Sequence, residues 1–326
     1  MGAVFNPLAL LDRRWTPSPR TVQRAALAAL LMSVAIIVTG GAVRLTGSGL
    51  GCDTWPKCSS DSLVATREMG WHGVVEFGNR LLTYVLSAAV GWAIAAARCA
   101  KPRRRGLTRL AWTQFWLVMA NAVLGGITVL TELNPYTVAG HFLAASGLLT
   151  VAFLTWDRTR EGDGGPDWLV GRIVRKQVWA LVAATAVLLA AGTVVTGTGP
   201  HAGDSSEVPR MGWISWTDAA HLHAVSAWLV VALTLAVWIT LKAMDGPPGP
   251  IARTRELFLV LLAQGLIGYV QYLTELPEVL VAAHMLGSAL VWIAVLRVLT
   301  SLRHRPAAVA AAIPQPAAPG RAVAAG

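Results

Sequence analysis

Apolar residues gather in long runs near 25–45, 76–98, 110–130, 137–155, 177–197, 218–241, 256–273 and 279–300. Each run is long enough to cross a hydrocarbon core of about 30 Å, which takes roughly 20 helical residues. The expected fold is therefore an all-α integral membrane protein with eight transmembrane helices. An even number of crossings puts both termini on one side.

The runs form two sets. Met69-Gly70-Trp71 recurs as Met211-Gly212-Trp213, and in that register Glu76 stands opposite Asp218 and Asn79 opposite His221. Leu130-Thr131-Glu132-Leu133 recurs as Leu273-Thr274-Glu275-Leu276, and the same register carries His141 onto His284 without a gap. Four crossings per copy give the copies one orientation, as in parallel repeats. The prediction is two tandem four-helix bundles related by a pseudo-twofold axis along the membrane normal. Residues 1–24 form a cytoplasmic segment, 25–156 the first half, 157–176 a cytoplasmic linker, 177–300 the second half and 301–326 a disordered cytoplasmic tail of mainly Ala and Pro.

Composition agrees with this. Of 326 residues, 55% are hydrophobic and 13% charged, and the mean hydropathy is +0.55, too apolar for a soluble domain of this size. The basic stretch before the first run is followed by about 20 apolar residues, so it reads as a span rather than a cleaved leader. The net charge of +10 raises the question of nucleic acid. Its placement argues against that partner: all but Arg44, Lys57, Arg67, Arg80 and Arg210 of the 27 basic residues lie on the side of the termini. This is the positive-inside bias of a multi-pass cell-membrane protein, with some attraction to anionic lipid.

On the opposite side, Cys52 and Cys58 flank a short stretch containing Pro56. In an oxidising compartment they are expected to form a disulfide. A zinc site would need four ligands, and His72 adds only one. No Cys-x-x-Cys-His is present for covalent haem. Thr46-Gly47-Ser48-Gly49 matches Thr196-Gly197-Thr198-Gly199, after which Pro200-His201-Ala202-Gly203-Asp204 follows. His201 is either a functional residue or an ordinary loop histidine.

Ionisable groups inside spans are costly, which makes them functional candidates. Glu76 has His72, Asn79 and Arg80 on or near its own helix face; it is either catalytic or an interface anchor paired with Arg80. His221 and His284 can meet one iron from opposite faces, as helical bundles do around haem. His223 is the rival of His221, set aside because the repeat register does not place it opposite Asn79. In the first half the equivalent pair is Asn79 and His141. An amide is a poor iron ligand, so a haem there has one strong axial bond and a loose second face, as suits a substrate that enters and leaves.

At these residues the chain resembles the haem A synthase family. The resemblance covers nearly all of 25–300. It rests on Gly40-Gly41-Ala42-Val43-Arg44-Leu45-Thr46-Gly47-Ser48-Gly49-Leu50, Trp55-Pro56-Lys57-Cys58, Glu76-Phe77-Gly78-Asn79-Arg80, the 196–204 stretch, and the placement of His141, His221 and His284. It departs at Asn79, where many members have His. The resemblance implies haem b in the second half on His221 and His284, and haem O in the first, with His141 on its iron and Asn79 and Arg80 beside it. It implies oxidation of a haem O methyl to a formyl with water as oxygen source, Glu76 being catalytic, and electrons leaving through haem b to an acceptor such as a quinone. Arg44 and Arg80 are candidates either for pairing with propionates or carboxylates or for topology and anchoring at the interface. A haem O synthase upstream and a haem-copper oxidase or its assembly factors downstream are the implied partners. The competing reading is a b-type cytochrome that only transfers electrons.

Overall fold

A computed structural model describes residues 7–201, 203–204 and 207–306. A short helix, α1 (Pro7–Arg14), precedes eight long ones: α2 (Pro19–Leu45), α3 (Gly70–Cys99), α4 (Arg105–Leu130), α5 (Pro135–Arg158), α6 (Arg172–Thr198), α7 (Trp216–Ala243), α8 (Pro248–Leu273) and α9 (Glu278–Ser301). All eight are long and apolar enough to cross a membrane. They extend beyond the apolar runs because capping residues sit outside those runs. Ser18 accepts a bond from the Thr21 N–H ahead of α2, with Pro19 in the first turn. Asn134 does the same for α5 and Ser215 for α7. Each cap satisfies an N–H left over at a helix start, where proline lacks one and loses nothing.

Contacts gather α2–α5 into one ring of four and α6–α9 into another. Around each ring, consecutive helices touch and the last closes on the first, leaving α3 diagonal to α5 and α7 diagonal to α9. Separate apolar cores lie within the two rings, around Val90 and Leu107 in the first and Leu181 and Leu257 in the second. A third, around Phe153 and Leu296, joins them where α2 and α5 meet α9. Within the bundle, where apolar burial gives little preference among partners, buried polar links add direction. Gln114 donates to Thr155 at 2.7 Å, Gln177 to Thr240 at 3.1 Å, and Trp292 of the second ring to Thr150 of the first at 2.7 Å.

The repeated Leu-Thr-Glu-Leu builds the same turn twice. Glu132 and Leu133 have φ of 53° and 58°, and Glu275 and Leu276 have 61° and 60°. Left-handed backbone is uncommon for residues with a Cβ, so its recurrence marks a shared structural unit.

Residues 19–24, expected in the N-terminal segment, form the first turns of α2. The last residues described are ordered against the linker: β1 (Asp167–Trp168) pairs antiparallel with β2 (Arg303–His304), and Gly162 and Gly164 donate to the carbonyls of Arg305 and Pro306. The backbone groups of this stretch find partners in a linker that itself needed them. The rest of the expected tail, 307–326, lies outside the described residues, as do 1–6.

Candidate haem sites

In the first ring the chemistry gathers at the end opposite the basic loops. Cys52 and Cys58 are bonded to each other, closing the loop after α2. Glu76 of α3 is buried beneath this loop, 5% exposed. Its Oε2 accepts the Cys52 N–H at 2.7 Å, and its Oε1 accepts from Arg80 Nε at 3.1 Å and Nη2 at 2.5 Å. Arg80 spends its remaining donors on the carbonyls of Cys52, Thr54 and Lys57. A buried carboxylate needs such charge-assisted partners. The i, i+4 spacing of Glu76 and Arg80 lets one helix face supply both the acceptor for the loop's N–H and the donors for its carbonyls.

The loop spans the mouth of the ring. Its Trp55 ring lies against Gly126 of α4, in the space a side chain there would fill. The next glycine back, Gly125, faces the imidazole of His141. Asn79 is turned toward α2, its Oδ1 accepting the Thr39 hydroxyl at 2.8 Å. His72 lies toward the loop after α2, its Nδ1 2.9 Å from the Ser48 hydroxyl. Asn79 and His141 sit on the diagonal helices α3 and α5, which do not pack directly on one another.

The second ring corrects one expectation. His221 is exposed, whereas His223 faces His284 across the diagonal, the ring centroids 6.2 Å apart. The pairing of His221 with His284 is thus replaced by His223 with His284. The cause is a slip of register at the anchor. Met69-Gly70-Trp71 opens α3, but Met211-Gly212-Trp213 lies in the loop before α7, so aligning the triplets does not align the helices. Asp218, set opposite Glu76 by the same register, serves instead in the first turn of α7. There its N–H and carboxylate both bond the Ser215 hydroxyl, at 3.1 and 2.6 Å.

The His223–His284 pair fits a haem. Nδ1 of His141, His223 and His284 is buried without a well-formed hydrogen bond in each case. Metal–imidazole bonds are about 2 Å long, and two of them with a ring radius on each side come to roughly the observed span. Among the described residues no three His, Cys, Asp or Glu side chains gather as a metal set. Two imidazoles facing each other therefore suit a metal that brings its other donors with it, as iron in a porphyrin does.

The outer loops of the two rings are tied together. Arg44 at the end of α2 donates to the carbonyls of Thr196 and His201 at 2.9 and 2.8 Å. Gly49 N–H donates to the Gly203 carbonyl at 2.7 Å, and His201 Nε2 lies 2.9 Å from the Leu276 carbonyl. His201 and Arg44 thus join loops. Missed by sequence reasoning were the Cys52 amide and Trp55 as parts of the first site, and the glycines beneath the imidazoles. The last had a signal, since Gly125 and Gly268 coincide in the register that pairs His141 with His284.

Comparison with known proteins places these features in context. A profile described as cytochrome oxidase assembly protein matches residues 23–296. Proteins named heme A synthase are similar to this chain. That of Geobacillus thermodenitrificans is 31% identical over 136 residues, which are 40% of this chain and 41% of that protein. That of Symbiobacterium thermophilum is 27% identical over 79% of this chain and 88% of that protein. That of Bradyrhizobium sp. (strain ORS 278) is 26% identical over 93% and 98%. The stretch shared with the Geobacillus protein is thus under half of its length, while the other two are matched over most of theirs.

Proposed function

Because the chain belongs to the cytochrome oxidase assembly protein family, we propose that it is a membrane oxidoreductase converting haem O to haem A. The relatives' names support this reading. The observation that carries it is the inequality of the two diagonals: two imidazoles in one ring, and one imidazole and an amide in the other, beneath a loop held by a buried carboxylate.

In this reading His223 and His284 hold haem b, which supplies one-electron redox capacity when bound. His141 takes the iron of haem O, and Asn79, already bonded to Thr39, leaves the second face without a strong ligand. Oxidation of the methyl proceeds in two stages. Water adds oxygen to give the alcohol with release of two electrons and two protons, and a second water gives the hydrated aldehyde with release of two more of each. Loss of one water leaves the formyl group. Glu76 is the proton acceptor for the attacking water. Its Oε2 keeps a lone pair beyond the one bonded to Cys52 N–H, and the Arg80 guanidinium holds the carboxylate in one orientation. Arg80, its donors all spent on Glu76 and the loop carbonyls, thus positions Glu76 and the loop. The loop, with Trp55 across the mouth, limits water to what the reaction uses. Electrons leave by way of the second ring to an acceptor such as a quinone. The product passes to a haem-copper oxidase or its assembly factors, and the substrate comes from a haem O synthase.

The test is Glu76→Gln in cells producing haem O. Gln keeps an oxygen for the Cys52 N–H but is no base, so haem A should fall by at least about 100-fold while haem b content is retained, both read by haem extraction and chromatography. Haem A at the parent level would remove Glu76 from the chemistry.

A further inference from the structure

The three imidazoles share one setting. Each lies across from a glycine on the preceding long helix: His141 of α5 on Gly125 of α4, His223 of α7 on Gly192 of α6, and His284 of α9 on Gly268 of α8. A Cβ at those glycines would stand 3.3, 3.2 and 3.2 Å from the ring Cε1 atoms, closer than the roughly 3.5–4.0 Å at which carbons settle. The contact is built in both rings and twice in the second. It is not a general property of these helices, since Gly265 of α8 and Gly147 of α5 have nothing within 4 Å.

The glycine also bares a main-chain acceptor. Nδ1 of each ring is buried without a well-formed bond, and the backbone group interacting with His141 is that of Asn121, and with His223 that of Leu188. Asn121 and Leu188 stand one helical turn before Gly125 and Gly192. Their carbonyls already accept the glycine N–H and have a second lone pair free. A Cβ on the glycine would press on the ring and move it away from that oxygen. Gln264 holds the corresponding place before Gly268. The fourth corner differs: a Cβ on Gly40 would lie 4.0 Å from Asn79 Nδ2, an ordinary contact, and that amide is tied to Thr39 instead.

We propose that Gly125, Gly192 and Gly268 are positioning residues. Each sets the ring plane of the histidine opposite, and Gly125 and Gly192 also set its tautomer, turning Nδ1–H toward the backbone and leaving the Nε2 lone pair for iron. A metal-bound imidazole whose second nitrogen is held in this way is a better-oriented and more basic ligand. The inference rests on the reading above for the identity of the bound group. A plain packing role, in which small residues let helices approach, predicts something else: an Ala in any of the three would loosen the bundle as a whole without selecting one haem.

The experiment uses the full chain with Gly125→Ala, Gly192→Ala, Gly268→Ala and, as control, Gly265→Ala, purified from cells producing haem O. Haem content, low-spin electron paramagnetic resonance signals and the haem b midpoint potential are measured. Gly192→Ala and Gly268→Ala are expected to hold haem b about 10- to 100-fold less tightly, with displaced resonance signals. Gly125→Ala is expected to keep the parent's haem b signature, which also reports intact folding, while retaining less haem O. Gly265→Ala should match the parent throughout. The inference is overturned if Gly268→Ala and Gly192→Ala keep the parent's haem content, signals and potential while His284→Ala loses haem b. It is equally overturned if Gly125→Ala or Gly265→Ala disturbs haem b as much as Gly268→Ala does. A parent protein that purifies without haem b would instead sink the underlying reading.

Discussion

Two histidines on α7, His221 and His223, stand two positions apart and face different surroundings. His223 lies against Gly192 and meets His284, while His221 is exposed. A helix turns by about 100° per residue, so two positions carry a side chain to the far side and no local rearrangement exchanges them. Replacing His223 by Ala is therefore expected to abolish haem b retention, whereas His221→Ala should leave the spectrum unchanged; quantifying haem as its pyridine complex against protein concentration decides between them. Glu76 is the other residue whose surroundings qualify its reading. Sequence reasoning offered catalysis or an ion pair with Arg80 as alternatives, but the carboxylate also accepts the amide of a disulfide-linked cysteine. Removing the side chain outright would free the loop as well as remove a base, which is why the conservative amide is the informative substitution.

At the scale of elements, the loop closed by Cys52 and Cys58 is held by more than its disulfide. Arg80 bonds three of its carbonyls and Glu76 one of its amides, while Trp55 lies on Gly126. The disulfide removes freedom from the unfolded chain, an effect that is smallest for short rings. The side-chain bonds act in the folded state, where charge-assisted bonds to a buried partner are worth about 1.5–3 kcal/mol each. Arg80→Ala should accordingly open the loop more than Cys52→Ser with Cys58→Ser does. Limited trypsin digestion at Lys57 measures this; equal or greater cleavage of the serine variant would show the disulfide to be the principal restraint. The paired turns at Glu132-Leu133 and Glu275-Leu276 belong to this scale too. The repeat foretold that they match, but nothing in a four-residue string announces positive φ at residues bearing a Cβ.

Across the whole molecule, Arg44 ties the end of the first ring's leading helix to the outer loop of the second, and Trp292 reaches Thr150 deep between the rings. Arg44→Gln shortens the side chain and removes the Nε donor to His201, so it should loosen the outer junction. Hydrogen exchange in detergent should then rise in residues 44–51 and 196–204 and stay unchanged around Thr150; unaltered exchange at both outer segments would contradict this. Orientation is tested separately. From the distribution of basic residues, the 157–176 linker is expected in the cytoplasm and the disulfide loop outside. A cysteine introduced at Gly165 should be labelled by a membrane-impermeant thiol reagent only in opened cells, and one at Asp61 in intact cells.

The amino-acid order by itself determined the number of crossings, their division into two copies, the side on which charge accumulates and the residue types available for iron and for acid–base work. These follow from apolar length, repetition and composition, which need no knowledge of neighbours. The tertiary structure decided which histidine meets His284, what Glu76 and Arg80 hold, and why glycines recur opposite the imidazoles. Such facts depend on helical phase and on which helices stand diagonal to one another. A linear register measured from a triplet that is helical in one copy and looped in the other carries no phase, so the partner of His284 became legible only once the helices were packed.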